Sequence, residues 1–207
     1  MRSEITIPVE GQHTFGTVSV PRHACGIVLF AHGSGSSRHS PRNRAIADAL
    51  EAKGLATLLA DLLTPEEDRI DQRTRELRFD IPLLTSRVLD AVGWLEREAK
   101  NLPIGLFGAS TGAAAALAAA AERPDAIRAV VSRGGRPDLA GGPALARVRA
   151  PTLLIVGGLD DVVIELNRQA RAMLKCEKEL VIVPGATHLF EEPGTLDRVV
   201  GLATEWF

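Results

Sequence analysis

IGLFGASTGAAAALAAAA, residues 104–121, decides the fold. Its first four residues are an apolar run of strand length, and its last nine are small helix-formers. Between them GASTG sets one serine, Ser110, with glycine two positions before it and two after. A serine on a tight strand-to-helix turn is held in a strained backbone conformation that projects its hydroxyl outward. Side chains at positions 108 and 112 would collide in such a turn, so glycine is required at both. The alanines beyond let the helix lie close to the sheet. Its N-terminus points free backbone N–H groups toward the serine and favours negative charge there.

The flanking sequence repeats this alternation. β-Branched or apolar runs bounded by Gly, Pro or Asp occur at residues 5–9, 15–20, 27–30, 56–59, 104–107, 127–132, 152–156 and 180–183. Leu84, Val88, Ala91, Val92 and Leu95 recur at helical spacing, as do Leu196, Val199, Val200, Ala203 and Phe207. From residue 27 onward strands and helices alternate, which predicts a mostly parallel sheet covered by helices on both faces. The first two runs, joined by a loop over residues 10–14, fit an antiparallel hairpin. Residues 63–77, charged and interrupted by proline, are expected to form an irregular surface segment. With 207 residues, 45% hydrophobic and 24% charged, one domain over residues 1–207 is expected.

Charge and composition remove several classes of function. A net charge of -2 offers no basic field for nucleic acid. The longest stretch of small apolar residues, 113–121, is about half of what spans a bilayer. The N-terminus carries Glu4 and lacks the apolar core of a signal peptide, so a cytoplasmic location is expected. Cys25 and Cys176 have neither a disulfide pattern nor a metal-ligand spacing. With 4% aromatic residues and no tyrosine there is no conspicuous aromatic interface, and a monomer is expected.

Ligands of open parallel sheets bind at the carboxyl ends of the strands, where Ser110 falls. A serine hydroxyl needs a base to become a nucleophile, and the base needs an orienting group. His188, in PGATHLF after the last strand, and Asp160, in GGLDDVV after the seventh, supply the two in the order Ser, Asp, His. Asp161 is expected to cap the following helix. An oxyanion also needs preorganised donors. They are expected from the backbone N–H groups of Thr111 and of Ser34, the latter in AHGSGSS, where Gly33 and Gly35 let the backbone come close to the reacting centre. His32 reads as a structural hydrogen-bonding residue of that loop. Arg133, at the strand edge beside Ser110, could clamp a substrate carboxylate or phosphate; Arg38, Arg42, Arg44 and Arg136 read as solvated or paired.

Together, AHGSGSS, GASTG, GGLDD and GATHLF resemble the α/β-hydrolase superfamily and, within it, small dienelactone-hydrolase-like enzymes. The resemblance covers essentially the whole chain. It implies an eight-stranded sheet with the second strand antiparallel, and a Ser110–Asp160–His188 triad acting without cofactor or metal. Dienelactone hydrolase itself has a cysteine nucleophile where this chain has Ser110. It also has a basic residue just after the catalytic histidine, where this chain has Glu191 and Glu192. Lid domains of many relatives follow the strand at 127–132, but only residues 133–151 intervene here, so an open site without a lid domain is expected. The implied activity is hydrolysis of small esters or lactones; an anionic group on the substrate is suggested by the arginines alone. Acyl transfer by the same triad and a catalytically inactive hydrolase-fold binding protein are the alternatives. A dinucleotide-binding reading rests on Gly33, Gly35 and Asp61, but Arg38 stands where the third glycine belongs.

Overall fold

The computed structural model describes residues 2–99 and 101–207. Eight strands form one sheet: β1 (Arg2–Val9), β2 (Gln12–Ser19), β3 (Ile27–Ala31), β4 (Ala56–Ala60), β5 (Ile104–Ala109), β6 (Ile127–Arg133), β7 (Thr152–Gly157) and β8 (Lys178–Val183). Their order is β1-β2-β4-β3-β5-β6-β7-β8. β2 is antiparallel to both β1 and β4, and every other pairing is parallel. All eight expected strands are present. The β1–β2 connection is tighter than expected, because Val9 already pairs with Gln12. Glu10 and Gly11 alone make the turn, both at positive φ (38° and 78°), the backbone that matches strand twist in a two-residue hairpin.

Seven α-helices occur among the described residues: α1 (Pro41–Ala52), α2 (Pro65–Thr74), α3 (Ile81–Glu98), α4 (Thr111–Glu122), α5 (Gly142–Leu145), α6 (Asp161–Met173) and α7 (Thr195–Trp206). α1 and α7 cover one face of the sheet, packing Ile46, Leu50, Val199 and Ala203 against Val28, Phe30, Phe107 and Ile155. On the other face α3 and α4 bury Val88, Val92, Leu95 and Ala116 against Leu29, Leu58 and Leu106. Ten of the twelve residues of α4 are buried, a closeness possible because most of them are alanine.

α2 corrects the expectation of an irregular segment at 63–77. Thr64 accepts from the Glu67 N–H while the Glu67 carboxylate accepts from the Thr64 N–H, with Pro65 in the first turn. This reciprocal cap, together with three acids in the first turn, offsets the helix's poor hydrophobicity. Between β6 and β7 the chain makes only a 3-10 turn, Pro137–Ala140, and the four-residue α5, with no inserted lid. The carboxyl edge of the sheet beside Ser110 is thereby left open.

Candidate active site

Ser110 stands between β5 and α4 at φ 50° and ψ −119°, backbone that non-glycine residues avoid. Hydrogen bonds hold it there: its N–H donates to Arg133 O at 3.2 Å, and its carbonyl accepts from Ala113 N and Arg136 N, both at 3.1 Å. A Cβ on Gly108 would lie 2.4 Å from Ala113 Cα, and one on Gly112 would lie 2.3 Å from the carbonyl oxygens of Ala31 and His32. Both glycines are therefore demanded by backbone packed against backbone.

Asp160 and His188 come from adjacent loops sewn to each other. Gly158 N donates to Val183 O at 2.8 Å, and Leu159 N to Ala186 O at 2.9 Å. The His188 Nδ1 to Asp160 Oδ2 distance is 2.7 Å. With the proton on Nδ1 donated to that carboxylate, Nε2 is left as the acceptor. The Asp160 side chain is 17% exposed and that of His188 39%, so the pair is open to a ligand on the imidazole side. Asp160 occupies the N-cap of α6, where its carbonyl accepts from Ile164 N at 2.9 Å but its side chain makes no capping bond, which frees the carboxylate for His188. Asp161 is not the cap: it lies one residue inside the helix, its charge in the first turn.

Ser110 and His188 line one pocket of about 170 Å³ with Gly33, Ser34, Ser40, Arg42, Asn43 and Arg133. Gly33 approaches closely enough that a Cβ there would lie 3.1 Å from Ser110 Cβ. Thr111 opens α4, and no acceptor among the described residues takes its N–H or that of Ser34. Gly35 and Thr111 do not line the Ser110 pocket. Gly35 lines a neighbouring small crevice together with Gly33, Ser34 and Thr111, where a Cβ on Gly35 would lie 3.0 Å from the Arg78 guanidinium.

His32 holds that loop in place. Its Nε2 accepts from the buried Leu62 N–H at 3.1 Å, and its Nδ1 donates to Gly33 O at 2.9 Å. Burial pushes its pKa below the ordinary value, against the opposing pull of the Gly33 carbonyl and of Asp61 and Asp68. Asp61, the acid a dinucleotide site would need, is instead committed to the backbone N–H of Arg38 at 2.7 Å and to its guanidinium.

Several contributors escaped the sequence reading. Ser40 and Asn43 reach the pocket because α1 begins at its rim, which no motif announces, and Arg42, read as solvated or paired, lines it with them. Gly134, at φ 51°, gives His188 room: a Cβ there would lie 3.1 Å from His188 O and 3.6 Å from the ring. Phe190, buried at φ 57°, anchors the histidine loop in the core, and Glu192 braces it through Thr187 N and Oγ1. Glu191 pairs with Arg42 at 2.8 Å. Among the described residues no three His, Cys, Asp or Glu side chains cluster in a metal-binding arrangement, and no helix is long and apolar enough to cross a membrane.

A sheet in this order, with serine, aspartate and histidine on the loops that follow β5, β7 and β8 at its carboxyl edge, has the architecture of the α/β hydrolases, and the family model described as an alpha/beta hydrolase domain matches residues 24–199. The chain belongs to that family. It is similar to the dienelactone hydrolase of Anabaena variabilis, whose crystal structure superposes with a TM-score of 0.98 at 57% identity, covering all of this chain and 96% of that one. Est1E of Butyrivibrio proteoclasticus shares the fold, with a TM-score of 0.82 at 17% identity over 98% of this chain and 96% of its own. Two curated proteins of Mycobacterium tuberculosis, provisionally named phosphoribosyl transferases, are each 60% identical over 194 residues. Those residues are 93% of this chain but 43% of theirs, so the chain spans less than half the length of these relatives.

Proposed function

We propose that the protein is a serine hydrolase, one catalytic domain over residues 1–207, that cleaves small carboxylic esters or lactones through an acyl-enzyme on Ser110. The observation that carries this reading is the 2.7 Å His188–Asp160 contact, set in the same pocket edge as the strained Ser110 turn. His188 Nε2 takes the Ser110 proton as Oγ attacks the carbonyl carbon, and the oxyanion is received by the Ser34 and Thr111 N–H groups. Asp160 fixes the tautomer and stabilises the imidazolium, which then protonates the departing alkoxide. Water attacks the acyl-enzyme by the same route and returns Ser110 to its free form. No step calls for a metal or cofactor.

The small pocket and the lack of an insertion after β6 favour compact substrates reached from solvent. The reading includes a monomeric, cytoplasmic protein with a small-molecule substrate and no nucleic-acid or membrane partner. Acyl transfer to an alcohol or amine uses the same acyl-enzyme and differs only in the acceptor. The transferase name of the longer mycobacterial relatives applies to proteins more than half of whose length lies outside the match, so the site chemistry of this chain governs its assignment.

The deciding experiment is hydrolysis of short p-nitrophenyl esters by wild type and Ser110→Ala, with fluorophosphonate labelling read by intact mass. Turnover and a single adduct, both lost in the variant, are expected. A wild type that neither turns over nor takes the label overturns the enzyme reading in favour of a binding protein.

A further inference from the structure

Among the described residues, two arginines are deeply buried, Arg87 and Arg133, and they are treated differently. Arg87 has carboxylates to meet it, Glu67 at 2.7 Å and Asp90 at 3.6 Å. Arg133 has none. It is 7% exposed, its Nε and Nη1 have no hydrogen-bond partner, and its one contact is a long 3.5 Å bond from Nη2 to the amide oxygen of Asn43. Burial and the neighbouring positive charge of Arg42 pull its pKa down to about 10, which still leaves it charged at neutral pH.

Leaving a guanidinium buried without a counter-charge is costly, and nothing structural is returned for it. The surroundings add to the positive field. Arg42 lines the same pocket; its Nη1 is held by Glu191 at the exterior, while its buried Nε has no partner. The N-terminus of the twelve-residue α1 also opens here, with no acidic residue in its first turn, whereas α2 has three. Unpaired donors, a second cation and a helix N-terminus thus line one small pocket that also holds Ser110.

We propose that Arg133 and Arg42 form an oxyanion-recognising subsite, so that the substrate is an ester or lactone that also carries a phosphate or carboxylate group. The inference rests on the hydrolase reading of this pocket for the ester, but not for the anion. Arg133 N–H groups bind the anion directly, and Arg42 contributes at the pocket's outer side. Two cations facing one anion hold a doubly charged phosphate more tightly than a carboxylate.

The test is calorimetric titration of inorganic phosphate and of acetate at low ionic strength into wild type, Ser110→Ala, Arg42→Gln and Arg133→Met. Wild type and Ser110→Ala are expected to bind alike, which separates the subsite from the chemistry: a protein that failed to hydrolyse any ester would still bind the anion. Arg133→Met is expected to lose about tenfold or more in affinity, the range of a charge-assisted hydrogen bond, and Arg42→Gln several-fold. Phosphate binding well ahead of acetate marks a phosphate-bearing substrate, and comparable binding a carboxylate-bearing one. Because methionine removes an unpaired buried charge at similar length, Arg133→Met should melt no lower than wild type. Absence of binding to wild type, or equal binding by wild type and Arg133→Met, overturns the proposal. Were Arg133→Met unable to fold, the partly exposed Arg42, as Arg42→Gln, would decide it, and unchanged binding there would overturn the paired subsite.

Discussion

The backbone N–H of Ser110 donates to the carbonyl oxygen of Arg133 at 3.2 Å, tying the candidate nucleophile to the residue beside it on the neighbouring strand. Arg136 N returns a bond to Ser110 O at 3.1 Å, so the turn is held from β6 as well as from its own helix. Two consequences follow. The Ser110 N–H is spent, which leaves Thr111 as the donor of that turn, and the strain at φ 50° is sustained by its surroundings.

Strain of this kind costs about 1–3 kcal/mol, and glycine at the same backbone angles is largely free of it. Ser110→Gly should therefore be more stable than Ser110→Ala by about 1 kcal/mol in chemical denaturation, though both lack the hydroxyl. Equal midpoints would show that the turn is relaxed.

Gly112→Ala places a methyl 2.3 Å from two carbonyl oxygens of β3 and its following loop. Backbone cannot yield as a flexible side chain can, so destabilisation of about 3 kcal/mol or more is expected, well beyond ordinary overpacking. Gly11→Ala, with open space around its Cβ, should cost far less and only through its positive φ. Thermal melts of the two variants check the contrast.

Asp160→Asn keeps the size of the side chain but can present an N–H to His188 Nδ1, favouring the wrong tautomer. A fall in kcat of about 10³–10⁴-fold with near-native stability is the expected result, measured on the same ester as wild type. A loss confined to KM would argue that Asp160 positions substrate instead.

His32 makes stability depend on pH with a definite sign. Its pKa in the folded protein lies below the ordinary 6.5, chiefly through burial, so the unfolded chain takes up the proton first as pH falls. Its contribution is intact above pH 6.5 and declines below it by about 1.4 kcal/mol per pH unit until the folded-state pKa is reached. Denaturation between pH 7.5 and 5.5 should show this slope in wild type and a flatter one in His32→Gln. An unchanged slope would place the acid sensitivity elsewhere.

The eight strands, the parallel order after residue 27 and the closeness of Asp160 to His188 were legible because each rests on local periodicity or on residues at strand ends. What was not legible depended on partners distant in sequence. Charge and proline at 63–77 suggested an irregular surface segment, yet Thr64 and Glu67 carry a capping signature that a reading weighted toward hydrophobic pattern passes over. That Arg42 lines the pocket with Arg133 depends on α1 starting where β6 ends, a packing relation between residues 91 positions apart. Arg38, by contrast, was expected to be paired or solvated, and it is ion-paired to Asp61 and Glu4.

The alanine helix behind Ser110 has a consequence for disorder rather than for shape. An alanine has no side-chain torsion to restrict, so ordering α4 against the sheet freezes almost no rotamers, whereas each leucine in its place would give up about 0.5–1 kcal/mol of entropy. Of its buried residues only Thr111 and Leu117 have side-chain torsions to choose among. The segment that fixes the serine thus loses little side-chain entropy on ordering.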